Sequence, residues 1–260
     1  MLETDRYWAL KEIGVLMALD TAGFIAENAI SFAGAILAMD SQRGTFLNEL
    51  SIYGAWTMWA LRLLIWSLTL VSLSRLASLR KSFGNARIWY LLRILCLIVQ
   101  PLSVTFANRQ PSLLSSERTP GIETLIPITL IAILTLAFLG EFLLSVGNRV
   151  TLFAGAELLD SFGLDDPAKR NRRCGTRLIG CTAAQTLFYL VAVALLIWIR
   201  FLQGRRIFGE GESGATMPEA IAIFCAVLFC LLARLGVIVF RILAAVRMNR
   251  TYRAIKELTE

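Results

Sequence analysis

The sequence predicts an all-α membrane protein, a bundle of six transmembrane helices. Of its 260 residues 57% are hydrophobic and 17% are charged, whereas soluble domains carry about 25% charged residues. The apolar residues form long runs separated by short charged segments, not the interleaved pattern of a soluble core. Six runs reach the roughly 20 residues that cross a bilayer: 13–39, 51–73, 88–107, 122–147, 178–202 and 218–246. We therefore expect one transmembrane domain over residues 1–260.

The first predicted span, residues 13–39, carries two acids inside its apolar run. Asp20 and Glu27 are seven residues apart and so share one helix face. Because an acid near the centre of a membrane helix costs about 2.5–3.5 kcal/mol, that face should point into the bundle. Residues 1–12 mix acids and bases, which favours a retained first span over a cleaved signal peptide.

Spans 2 and 3 each contain one arginine. Arg62 lies near the middle of span 2, after a group of aromatic residues typical of a membrane interface. Arg93 lies about one turn inside span 3, and Pro101 predicts a kink or an end of that helix further along.

Span 4 carries Glu141 near its inner end. The residues that follow, 148–164, are amphipathic and are predicted to lie along or below the cytoplasmic membrane surface. Asp166 is then a candidate N-cap, with Pro167 at the first position of the next helix. Spans 5 and 6 follow, and span 6 contains Arg234 and Arg241.

The orientation follows from the distribution of Lys and Arg outside the spans. Both termini and the two loops on the same side of the membrane contain sixteen of these residues. The three other loops contain six when Arg200, near the outer end of span 5, is included. Since basic loops stay in the cytoplasm, both termini should be cytoplasmic, in a plasma (inner) membrane.

Helix depth predicts two layers of charge inside the bundle, estimated at about 1.5 Å per residue. The first layer pairs Glu27 with Arg62 and Arg234. The second holds Asp20 and Glu141 with Arg93 and Arg241. These charges could fix the order of the helices, or form a polar path or substrate site. In a third interpretation, Arg93 and Arg241 extend to the membrane interface.

Histidine is absent, which excludes a bis-histidine haem site, His-ligated zinc and a Ser-His-Asp triad. The five cysteines show no C-x-x-C spacing. We therefore predict no metal, no cofactor and no catalytic residue, and an enzyme is the least favoured class.

A basic cluster precedes span 5 and consists of Lys169, Arg170, Arg172 and Arg173. It fits a cytoplasmic orientation signal, a seat for anionic lipid headgroups, or a docking point for an acidic protein. Nucleic-acid binding is not expected, because no aromatic residues or separate basic fold accompany the cluster.

Two functions from different classes fit this sequence. One is a small transporter or channel, or the membrane subunit of a transport or secretion complex, in which the buried charges bind or gate a solute. The other is a non-transporting anchor or scaffold for a soluble cytoplasmic partner, including a haem-free oxidoreductase anchor. A water-accessible route to Glu27 and Arg62 would favour the first.

Overall fold

The computed structural model describes residues 3–37, 44–108, 122–198 and 217–259. Within these ranges the chain is helical, with six α-helices and no strand. They are α1 (Glu3–Leu37), α2 (Gly44–Ala77), α3 (Lys81–Asn108), α4 (Ile122–Ser161), α5 (Asp165–Ile197) and α6 (Met217–Thr259). The all-α prediction is confirmed.

Four of these helices contain a stretch long and apolar enough to cross a membrane. The stretches are Trp56–Ala77, Phe138–Ser161, Asp165–Leu195 and Met217–Thr259, in α2, α4, α5 and α6. Their outward faces carry exposed leucines, valines and phenylalanines, as lipid contact requires. This supports membrane insertion, while the crossing of α1 and α3 stays a prediction.

The helices form a closed ring. Each helix packs against its neighbours in the chain, α6 packs back against α1, and α4 also contacts α6 across the ring. Trp8 meets Tyr252 edge-on with ring centroids 6.0 Å apart, and Tyr7 meets Phe162 at 6.1 Å. The start of α1, the end of α6 and the turns 78–80 and 162–164 therefore share one end of the bundle, called here the terminal end.

Residues 148–161 continue α4 without interruption, so the prediction of a separate amphipathic segment was wrong. Their apolar face is buried in the core of the terminal half. The buried residues are Leu152, Ala154, Ala156, Leu158 and Leu159. The amphipathic spacing of this segment was predicted correctly, but its apolar face packs against the protein interior and not against lipid headgroups.

The turn between α4 and α5 also differs from the prediction. Gly163 adopts a left-handed φ of 75°, and the amide of Leu164 donates to the carbonyl of Leu159 at 3.0 Å. This is the Schellman ending, which requires a residue without a Cβ at that position. Helix α5 then begins at Asp165 after Leu164, which makes no side-chain cap, so Asp166 is not the N-cap.

The closest helix contact at the terminal end joins α1 to α6. A Cβ added at Gly14 would lie 2.6 Å from Asn249 Oδ1 and 3.1 Å from its backbone nitrogen. Only glycine therefore allows the two backbones to approach this closely.

We expect Gly14→Ala to lower the free energy of unfolding by about 1–3 kcal/mol, the usual cost of overpacking. Thermal unfolding in detergent measures the effect. Gly180→Ala is the matched control, because nothing lies within 4 Å of a Cβ added there. Equal melting temperatures for the two variants would contradict the α1–α6 packing.

Candidate functional site

Arg62 lies at the centre of a buried network of charged side chains. Its Nη1 is 2.7 Å from Glu27 and 3.9 Å from Glu141, and its Nε is 3.7 Å from Asp20. Its side chain is only 2% exposed. One guanidinium from α2 therefore contacts carboxylates from both α1 and α4.

Glu141 of α4 joins two more helices to this centre. It accepts a hydrogen bond from Arg93 of α3 at 2.8 Å and another from Arg241 of α6. The preceding residue, Gly140, is part of this geometry, because an added Cβ would overlap the Arg93 guanidinium. Glycine at this position lets the arginine lie directly across the surface of α4.

Asp20 completes the contacts on the terminal side of the network. Its Oδ1 accepts a hydrogen bond from Trp66 Nε1 at 2.9 Å, and Arg241 lies 3.9 Å from its other oxygen. The acid of α1 is thus held by side chains from α2 and α6, the two helices that flank α1 in the ring.

Two aromatic rings pack against the guanidinium groups, and sequence reasoning had missed both. The Phe24 ring centroid lies 4.5 Å from the guanidinium carbon of Arg241 and 4.9 Å from that of Arg234. Trp66 lies 4.6 Å from that of Arg93. Such contacts stabilise desolvated cations. The sequence spacing could have indicated both rings. Phe24 follows Asp20 by four positions and Trp66 follows Arg62 by four, so each ring shares a helix face with a charged residue.

Arg234 lies at the edge of the network, next to Asn28 of α1, to which its Nη2 donates a hydrogen bond. Asn28 had not been singled out from the sequence, although it directly follows Glu27. Arg234 therefore ties α6 to α1 again, on the side away from the terminal end.

The structure joins the two predicted charge layers into one network, because Arg62 contacts carboxylates assigned to both. It also excludes the interpretation in which two arginines extend to the interface. Arg93 and Arg241 are each 1% exposed and are bound to Glu141. Every predicted pathway candidate thus lies in or beside the network.

The network is rich in donors. Within the part of the chain that the structure describes, several buried guanidinium nitrogens have no hydrogen-bond acceptor, among them Arg62 Nη2, Arg93 Nε and Arg241 Nε. Among the described residues, four arginines face three carboxylates, which leaves one positive charge in excess within that set. Both features favour interaction with an anionic or acceptor-rich group.

Access to the network differs between its two sides. On the terminal side, a cavity of about 10 Å³ beside Asp20 and Asn148 has room for about one water molecule. Beyond it, Tyr90 donates to Asn148 and the core is buried. The side chain of Glu27, further from that end, is 30% exposed, against 7% for Asp20. Exposure therefore increases away from the terminal end.

The basic cluster lies in the first turns of α5 and includes none of the network residues. Lys169, Arg170 and Arg173 are exposed, whereas Arg172 pairs with Asp160 of α4. Between them, Asn171 is buried and donates to Thr251 of α6 at 2.9 Å. Three cations are thus presented to solvent on a rigid helix.

We expect Glu141→Gln to lower the free energy of unfolding by about 3–5 kcal/mol, because it leaves buried guanidinium groups without their shared counter-charge. Thermal unfolding in detergent is the measurement. Glu157→Gln makes the same chemical change at the partly exposed pair with Arg80 and should change stability by less than about 1 kcal/mol. Similar losses in both variants would argue against the network.

No known protein family, curated protein or solved structure matches this chain. Among the described residues, no group of acids and cysteines is arranged to hold a metal ion. The buried network combines, among the described residues, guanidinium donors without acceptors and one partly exposed carboxylate.

Proposed function

We propose that the chain is a membrane protein of the transport type, and that the network around Arg62 binds or gates a passing anionic solute. The observation that carries this proposal is the set of buried guanidinium nitrogens that have no acceptor among the described residues, beside the partly exposed Glu27. An anionic group reaching them would gain charge-assisted hydrogen bonds that the protein does not supply.

A purely structural network would be expected to have balanced charge and satisfied donors. Each charge near a helix centre costs about 2.5–3.5 kcal/mol on insertion. An arginine without a counter-charge therefore destabilises the bundle and does not help to fix the order of its helices. Here four arginines are gathered around three acids from α1 and α4. This imbalance favours a ligand-related role over a role in fixing helix order alone.

The proposal includes six membrane crossings within a single domain. Helices α1 and α3 alternate in the ring with helices apolar enough to cross. Their charged residues Asp20 and Arg93 are buried against partners, so they need not contact lipid. The excess of basic residues at the terminal end supports a cytoplasmic location for that end, in a plasma membrane.

The anchor or scaffold function remains the second candidate, and one observation favours it. Lys169, Arg170 and Arg173 project from the terminal end of α5, where an acidic cytoplasmic protein could dock. The close packing on the terminal side of Asp20 is compatible with an anchor, and equally with a transporter that is closed at the terminal end.

Thiol accessibility tests whether an anion can approach the network. Met58 lies one turn before Arg62 and would be 3.3 Å from a Cβ at Gly23 of α1, so it faces the helix that carries Glu27. In a variant without the five native cysteines, we expect Met58→Cys to react with membrane-impermeant methanethiosulfonates from one side only. The anionic reagent should react at least tenfold faster than the cationic one, after normalisation to a free thiol. One excess charge about 10 Å away attracts the anion and repels the cation by roughly 1.7 kcal/mol each at an effective dielectric constant of 20, so tenfold is a lower limit.

Two control variants define the background of this experiment. Leu61→Cys places the thiol on the outward apolar face, and Ile65→Cys places it in the buried core beyond Arg62. Neither should react appreciably. If Met58→Cys reacts no faster than Ile65→Cys, the network is sealed and the anchor function is favoured. If it reacts faster with the cationic reagent, the anionic solute is wrong.

A further inference from the structure

A groove of about 350 Å³ lies on the outside of the bundle between α1 and α2, near the terminal end. Its apolar wall is formed by Trp8, Val15, Leu68 and Val71, all of which are exposed. This wall continues onto the outward apolar surface of α2. The groove is separate from the charged network, and the proposed function does not use it.

The polar end of the groove is positively charged. Lys11 and Arg75 line it, together with Glu12. Glu12 accepts a hydrogen bond from Ser72 at 2.8 Å and lies 3.5 Å from Arg75 Nη1. The Lys11 ammonium lies 4.2 Å from the Trp8 ring centroid. Since one carboxylate stands against two cations, the groove retains one positive charge.

The position of Arg75 matches the depth of lipid headgroups. It follows Arg62 by thirteen residues on α2, which corresponds to about 20 Å along the helix. With Arg62 near the middle of the membrane, the hydrocarbon ends at about 15 Å and the headgroup layer at about 20–22 Å. The cations of the groove would therefore lie among the headgroups, and its apolar wall beside the acyl chains.

We propose that this groove is a binding site for an anionic phospholipid. The phosphate lies between Lys11 and Arg75, and one acyl chain lies along Val15, Leu68 and Val71. Arg75 is 63% exposed, so its guanidinium remains open to a phosphate beside its contact with Glu12. The four exposed apolar side chains argue for a lipid over a free phosphate ion, which would leave them uncovered.

The test measures binding of phosphatidylglycerol to the full chain in detergent by native mass spectrometry, with phosphatidylcholine for comparison. We expect the double variant Lys11→Gln/Arg75→Gln to bind phosphatidylglycerol about thirtyfold more weakly, since each basic residue near the surface contributes about fivefold. Lys169→Gln/Arg170→Gln removes the same charge from the same end of the bundle, on α5, and should bind like the wild type. Equal weakening in both double variants would overturn the groove as the site, in favour of a diffuse basic surface.

A second variant tests the acyl-chain part without changing charge. Val71→Trp fills the apolar wall from an exposed position and should weaken phosphatidylglycerol binding at least tenfold, with an unchanged melting temperature in detergent alone. Glycerol phosphate, which carries the headgroup chemistry without acyl chains, should not displace the lipid. Undiminished binding in Val71→Trp, or displacement by glycerol phosphate, would overturn the lipid as occupant.

Discussion

The ion pairs between the carboxylates of α1 and α4 and the guanidinium groups of α2, α3 and α6 constrain the whole bundle. A charge buried away from water is tolerated only beside an opposite charge with good geometry. Glu141 reaches Arg93 and Arg241 on the two sides of α4, and Arg62 reaches Asp20 and Glu27. These contacts determine which helices are neighbours and how they are positioned relative to one another along the bundle axis. Apolar packing in lipid specifies neither property strongly.

The same contacts give the network its chemical character. Phe24 and Trp66 pack against the guanidinium groups, and such contacts stabilise cations that are removed from solvent. Several of the remaining guanidinium nitrogens have no acceptor in the described chain. Buried donors of this kind are costly when unmet and favourable when met by an anion, which supports the proposed solute site.

The outer surface and the interior divide the basic residues between two roles. Those inside the ring contact carboxylates, whereas those at the terminal end are exposed on the outer surface. We propose a solute as the ligand of the first set, and lipid headgroups or an aqueous partner for the second. Lys11 and Arg75 lie beside an apolar wall and suit a lipid. Lys169, Arg170 and Arg173 lie on the first turns of α5 and fit the orientation of the chain or the docking of a protein. The anchor function would use this second set, independently of the network.

The sequence by itself determined the helical class, the apolar stretches and the inward orientation of Asp20 and Arg62, because the hydrophobic period and the cost of charge in lipid are local properties. Only the tertiary structure decided their partners, since one guanidinium can reach several carboxylates and depth alone cannot choose among them. It also decided that residues 148–161 continue α4 into the core, because an amphipathic face fits either protein or membrane surface equally well. The roles of Phe24, Trp66 and Gly140 likewise depend on contacts between helices distant in the chain.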